Sequence, residues 1–239
     1  MELHRSSFSL KLKIFMIKYN HGGIMKTMQI KKDDILYDVI IEKKSTTKNS
    51  YIRVKDDLKI YVTCNIKTTD KYIVDFLRTN YNGICKMIDK ELKRKEDSKY
   101  FFYLGKKYDI VYTDSLNVSI GQDKVYLNKN IDIDKWYKKQ ASLLFKERLN
   151  FIYNFYSRKI PYPSLWIRKM TSRWGVCNTK NHNITLNLEL IKKDIKYLDY
   201  VIIHELSHLI HPNHSKSFWA LVEENCPNYK KIRKEMKEF

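Results

Sequence analysis

The chain is short of the residues that punctuate or cross-link a backbone. Its 239 residues include six glycines, four prolines and four cysteines. A Gly/Pro-rich low-complexity chain is excluded, and 43% hydrophobic with 13% aromatic content is ordinary for a soluble globular protein. Cys64, Cys85, Cys177 and Cys226 lie far apart and form no CxxC pair. That excludes a disulfide framework and points to reduced thiols in a cytoplasm. The apolar N-terminal run is broken by Lys11 and Lys13, is too short to span a bilayer, and precedes no small-residue cleavage site. Neither a signal peptide nor a membrane association is expected. Residues 1–30 are set aside as a disordered leader, with Met25 an alternative start.

Arginine is scarce too, nine of the 46 basic residues. The formal charge of +19 is therefore carried by lysine, which accompanies abundant Ile, Asn and Tyr as in an A/T-rich coding sequence. The densest stretch, KELKRKEDSK from Lys90 to Lys99, mixes both signs and reads as a solvated face or linker. Weak, non-specific association with nucleic acid is the expectation, without a reading head for specific recognition.

What is present has an order, and no internal repeat. Segments ILYDVIIEKK, SYIRVKD and LKIYVTC, rich in Val, Ile and Tyr, are predicted strands. Ile73, Phe76, Leu77, Ile84, Met87 and Ile88 then recur at helical spacing between Asp70 and Lys95. FFYLGKKYDIVYTD and KVYLNKN return to strand, with turns at Gly105 and Gly121. A long helix is predicted over Asp132 to Lys159, with Trp136, Leu143, Leu144, Phe151 and Phe155 on its apolar side, stopped by IPYPS. SLWIRKM, SRWGVC and HNITLNLEL are β-prone. Asp194 is the expected N-cap of a last major helix striped by Ile195, Leu198, Ile202, Leu206 and Leu209. Phe218, Trp219, Leu221 and Val222 read as a buried helix behind it, closed by Pro227. The fold class is α+β: an antiparallel, β-rich N-terminal region over 31–130, then a compact helix-and-sheet domain over 131–239.

Histidine is rare except in one place. Four of seven lie within eleven residues, in HELSHLIHPNH from His204 to His214. His204 and His208, four apart on a helix, leave the same face about 6 Å apart, a spacing that lets two imidazoles grip one zinc ion. Glu205 lies one step round, within reach of a zinc-bound water but badly placed as a ligand. For the third ligand two imidazoles compete. His211 continues the helical face, but about 10 Å along the rod from His204, which suits a tetrahedral centre badly. His214 is preferred, because Pro212 and Asn213 break the helix and let the chain fold back. His211 is assigned an outer role, as a substrate hydrogen-bond donor or a group behind the ligands.

SRWG at Ser172 to Gly175, LDYVIIHELSH at Leu198 to His208 and NHSKSFW at Asn213 to Trp219 together resemble the YgjP-like metallopeptidase family, related to SprT-type and WLM zinc proteases. The resemblance extends over most of the chain after about Lys31. It implies a minimal zincin-like domain, one catalytic zinc ion on His204, His208 and His214, and Glu205 as catalytic base. The reaction implied is hydrolysis of a peptide or protein substrate. Glu205 takes a proton from zinc-activated water and delivers it to the departing amine. Arg173 is the expected oxyanion helper, since the resemblance places its segment near the metal, and the β-rich stretch there is suited to holding an extended peptide. Asp199 either orients a ligand ring or faces solvent. Trp174 and Trp219 are assigned to the core, Cys177 and Cys226 to packing. Two alternatives stand beside this: a deformylase-like metal amidase with Cys177 as third ligand, and a nucleic-acid-binding module whose zinc is structural.

Overall fold

The structure, a computed structural model, describes residues 15–18 and 27–238. The chain divides into two compact units between Lys99 and Tyr100. The leader expectation falls mostly outside the described residues. Phe15–Lys18 (β1) is nevertheless a strand, and Met28 and Ile30 are core residues of the next one.

The first unit is a five-stranded sheet carrying two helices. Its strands are β1, Thr27–Lys32 (β2), Ile35–Lys44 (β3), Tyr51–Val54 (β4) and Ile60–Asn65 (β5), in the order β1-β2-β3-β5-β4. β3 and β5 pair in parallel and the other pairs are antiparallel. Alternate residues Met28 and Ile30, and Ile60, Val62 and Cys64, point to one face, because side chains on a strand alternate. Ile73, Leu77, Ile84 and Ile88 pack on that face. The stretch of helical period between Asp70 and Lys95 folds as two helices, Asp70–Thr79 (α1) and Tyr81–Asp97 (α2), broken at Asn80. There the backbone leaves helical geometry (φ −97°, ψ 9°) and the Asn80 amide caps the carbonyl of Phe76 at 2.8 Å.

The second unit begins with Phe101–Tyr103 (β6), Lys106–Tyr112 (β7), Ser119–Ile120 (β8) and Lys124–Leu127 (β9), in the order β6-β7-β9-β8. The sequence reading grouped these strands with the N-terminal region. They pack instead with the helix that follows, Ile133–Phe155 (α3): Phe101 stacks on Tyr137 at 5.1 Å, and the Tyr137 hydroxyl donates to the carbonyl of Phe102 at 2.6 Å. After α3 come Ser164–Arg168 (β10), Gly175–Asn178 (β11) and Asn183–Asn187 (β12), a sheet in the order β10-β12-β11. A 3-10 turn, Leu188–Lys192, leads to Ile195–His208 (α4), Lys216–Asn225 (α5) and Tyr229–Glu235 (α6). Asp194 caps α4 as expected, its carboxylate accepting from the backbone N–H of Lys196. The β6–β7 turn rests on this cap. Gly105 has φ +80°, and a Cβ there would meet the Asp194 backbone at 2.9 Å, so the position admits only glycine.

Two helices differ from their sequence reading. α3 ends at Phe155, four residues early, and buries Tyr137, Ala141, Phe145, Leu149 and Ile152. Leu143, Phe151 and Phe155 are exposed, while Trp136 and Leu144 pack at the edge of the core. The chain is apolar on more than one side of this helix, and periodicity could not say which side faces inward. α4 is withdrawn from water around most of its girth, burying Tyr200, Val201, Ile203, Glu205 and Ser207 as well as the expected stripe residues Leu198, Ile202 and Leu206. Among the described residues no helix is long and apolar enough to cross a membrane.

Phe145 is fully buried and Phe155 is 76% exposed. Phe145→Ala is expected to destabilise the protein by about 3–5 kcal/mol, and Phe155→Ala by no more than about 0.5 kcal/mol. Denaturant unfolding of the two variants checks this, and equal effects would contradict the face assigned to α3.

Candidate metal centre

The last two turns of α4 carry His204, Glu205 and His208, and the segment 209–215 turns back over that end of the helix. Leu209 still bonds to Leu206 through its backbone, and the N–H of His211 reaches the carbonyl of Ser207 at 2.9 Å. Pro212 cannot extend this ladder. The chain reverses, and Ser215 caps α5 through its hydroxyl. His214 is thereby brought back against α4, its Nε2 3.2 Å from Nε2 of His204. One nitrogen from each of His204, His208 and His214 falls within 4.8 Å of the others.

The three rings share a floor. Phe218, fully buried on α5, meets His204, His208 and His214 at centroid distances of 4.9, 4.6 and 4.8 Å. Trp219 stacks on His214 at 5.5 Å, Tyr229 stacks on Trp219 at 5.4 Å, and the Arg233 guanidinium lies 4.5 Å from the Trp219 ring. His214 is exposed, so this stack is what orients its ring. His211 serves through its backbone: Nδ1–H of His208 donates to its carbonyl at 3.2 Å. That bond fixes the tautomer and leaves Nε2 of His208 with a free lone pair. The ring of His211 is not among the converging groups. Nδ1 of His204 is buried without a partner among the described residues, so packing alone holds this ring.

Burial sets the charge states. His204 is pushed down to about 3, by desolvation first and then by the neighbouring His208 and His214. His208 is lowered, again mainly by desolvation, against the hydrogen bond to His211. Both therefore offer neutral imidazoles at neutral pH. Glu205, 4% exposed, is pushed up to about 8 by burial, with the positive charge of Arg173 acting in the opposite direction. Cys177, on β11, is pushed up to about 12 by burial and by Glu205, and so stays a thiol. It is not among the converging donors, which removes the footing of the amidase alternative.

These residues fit a metal ion. In a tetrahedral zinc site with bonds of about 2.0–2.1 Å, ligand nitrogens stand about 3.3 Å apart. The 3.2 Å between His204 and His214 matches that edge. Two imidazole nitrogens that close without a shared proton or cation would turn lone pair against lone pair.

The rest of the site supports these groups. Asp199 takes neither expected role: Arg148 of α3 grips it with two bonds of 2.8 and 2.7 Å, pinning α3 to α4. Ser207, inside the HELSH run, donates to the carbonyl of Ile203 at 2.7 Å, so the buried Tyr156 hydroxyl is the donor in their 2.8 Å contact. Asn187, 3% exposed, was overlooked in the sequence. Its amide donates to the carbonyls of Met170 and Arg173 and accepts from the N–H of Met170 and Glu189, while its own N–H reaches the carbonyl of Trp174. It thus ties down the turn that carries Arg173, which is exposed. An asparagine ending a β-prone run before a turn was the available signal. Trp174 and Trp219 lie half-buried against the core, as expected.

A helix presenting two imidazoles and a glutamate, with a third imidazole folded back beside a short sheet, is the arrangement of a metal-dependent hydrolase. The chain belongs to the YgjP-like family, whose model, described as "YgjP-like, metallopeptidase domain", matches residues 48–239. The protein is a metallopeptidase. Two solved metallopeptidase zymogens are similar to part of it. Abylysin of Pyrococcus abyssi is 26% identical with a TM-score of 0.36, over 38% of this chain and 90% of that one. Jannalysin of Methanocaldococcus jannaschii is 20% identical with a TM-score of 0.35, over 39% and 94%. No curated protein matches the chain.

The carboxyl of Glu205 is raised from 4.5 to about 8 on folding. The unfolded chain therefore releases this proton first, and the metal-free protein loses stability as pH rises from about 4.5 to about 8. Glu205→Gln removes that dependence. With metal chelated, the melting temperature of the variant should exceed that of the wild type by a margin that widens between pH 5 and pH 8. A margin independent of pH in thermal melts would contradict the burial of this carboxyl.

Proposed function

We propose that this metallopeptidase holds a single zinc ion on His204, His208 and His214, and that Glu205 is the general base that activates water against a peptide bond. The observation that carries the reading is the convergence of three ring nitrogens at one end of α4, two of them on imidazoles that burial keeps neutral. Zinc in such a donor set polarises a carbonyl and acidifies water.

The remaining steps belong to side chains of the chain. Glu205 takes a proton from the attacking water and passes it to the nitrogen of the departing amine. Withdrawal from solvent makes it a stronger base than a free carboxylate, and closer to neutrality, which suits that task. Arg173, exposed and electrostatically coupled to Glu205, is the residue assigned to the oxyanion. β11 is an outer strand of its sheet and begins two residues after Arg173. Its unpaired side offers backbone donors and acceptors to an extended peptide, which brings the substrate alongside Glu205. The carbonyl of His211 keeps the His208 ring in the required tautomer.

Glu205→Gln is expected to retain zinc and fold while losing about 100-fold or more of peptidase turnover. His214→Ala should lose zinc, whereas Cys177→Ser should keep both zinc and activity. Metal analysis combined with digestion of casein or a peptide library decides. Full turnover in Glu205→Gln, or zinc loss only in Cys177→Ser, would refute the assignment.

A further inference from the structure

Gly175 opens β11 and lies against Glu205. A Cβ placed on it would stand 2.5 Å from Oε1 and 2.8 Å from Cγ of Glu205, and 2.8 Å from Cγ1 of Val201. All three distances are far inside van der Waals contact. The backbone gives no reason for glycine here, since Gly105 is the positive-φ glycine among the described residues and Gly175 is an ordinary strand residue paired with Leu186. Glycine in a strand costs conformational entropy and packs nothing, so its usual justification is the close approach of another group. The group that approaches is the carboxylate of Glu205.

That carboxylate is held in an unusual way. Burial and the charge of Arg173 act on it, and among the described residues no hydrogen bond fixes its direction. Its place is set by walls. On its own helix the wall is Val201, one turn earlier on the same face. Opposite stands the bare Cα of Gly175, and that wall is firm. β11 is registered on β12 from Gly175↔Leu186 to Asn178↔Asn183. Just before it, Asn187 holds the carbonyls of Arg173 at 2.8 Å and of Trp174 at 2.9 Å.

We propose that Gly175 is a positioning residue for the reaction: the absence of its side chain defines where the Glu205 carboxylate stands relative to the three imidazoles. The inference rests on the reading of Glu205 as the base. A methyl group at position 175 has nowhere to go. The sheet behind it is pinned, so the carboxylate must swing away, and a general base displaced by about 1 Å forfeits on the order of 100-fold in rate. The imidazoles, held by Phe218 and by the His208–His211 bond, do not depend on this contact.

The test uses full-length wild type, Gly175→Ala, Val201→Ala, the double variant Gly175→Ala/Val201→Ala, and Glu205→Gln. Bound zinc, melting temperature, kcat and KM on a peptide substrate, and a crystal structure of Gly175→Ala are the readouts. Gly175→Ala should bind zinc stoichiometrically and lose about 100-fold in kcat with KM changed by less than about threefold, while its structure shows the imidazoles in place and the carboxylate displaced. Val201→Ala relieves only the contact with the valine. In the double variant the melting temperature should recover and the turnover should not. If Gly175→Ala fails to fold, the double variant, with room made on the helix side, carries the same expectation.

Zinc-loaded Gly175→Ala with kcat within about threefold of wild type overturns the proposal, as does recovery of turnover on adding Val201→Ala. The two layers separate cleanly. Turnover surviving Glu205→Gln sinks the reading of Glu205, whereas turnover surviving Gly175→Ala beside an inactive Glu205→Gln sinks the role of Gly175 alone.

Discussion

Val201, Ile202 and Leu206 are almost wholly withdrawn from water on the same helix that carries His204, Glu205 and His208. This shared burial governs the site. A helix packed by α3, by β11 and β12, and by α5 and α6 brings His204, Glu205 and His208 into low dielectric, where each favours its uncharged form. For imidazole that means a lone pair ready to donate. For the carboxyl it means a base whose strength lies near neutrality rather than near 4.5. One physical cause therefore acts in opposite directions on two residue types, and both outcomes suit the roles proposed for them.

Such burial has to be supported, because unpaired polar groups inside a protein are costly. The support is distributed. Arg148 satisfies Asp199 with a two-bond grip, Tyr156 and Ile203 satisfy Ser207, and the Asn187 amide satisfies three backbone groups of the turn leading into β11 and the N–H of Glu189 after β12. Ring packing supports all three histidines, with a hydrogen bond to the carbonyl of His211 added for His208. Phe218 touches all three rings from below, and the Trp219–Tyr229 stack supports the exposed one from the side. α5 is thus more than a second layer of core: its first turn is the floor of the site.

The legibility of these features followed the range of the interactions behind them. Asp194 as a helix cap and the pairing of His204 with His208 depend on residues within one turn of each other, and both were visible in the chain. The break at Asn80 was not, since the apolar period continues across it. The inward face of α3 was misjudged because Leu143, Phe151 and Phe155 are as apolar as the residues it buries, and only the placement of α4, β10 and the 3-10 turn distinguishes them. The contact His211 makes with the cluster is through its carbonyl, which a side-chain motif cannot reveal.

The sequence by itself determined the class of chemistry, because an HExxH run on an apolar helix places two imidazoles and a carboxylate within a single turn whatever surrounds them. It also singled out His214 as the candidate third donor, since Pro212 and Asn213 break the helix and let the chain turn back. Only the tertiary structure decided how those groups are held. The room beside Glu205, the floor under the imidazoles and the grip on the 170–174 turn come from Gly175, Phe218 and Asn187. Apart from Phe218 and His214, four residues apart, these lie ten or more residues in sequence from the groups they serve, and such contacts exist only once the sheet and the helices have packed.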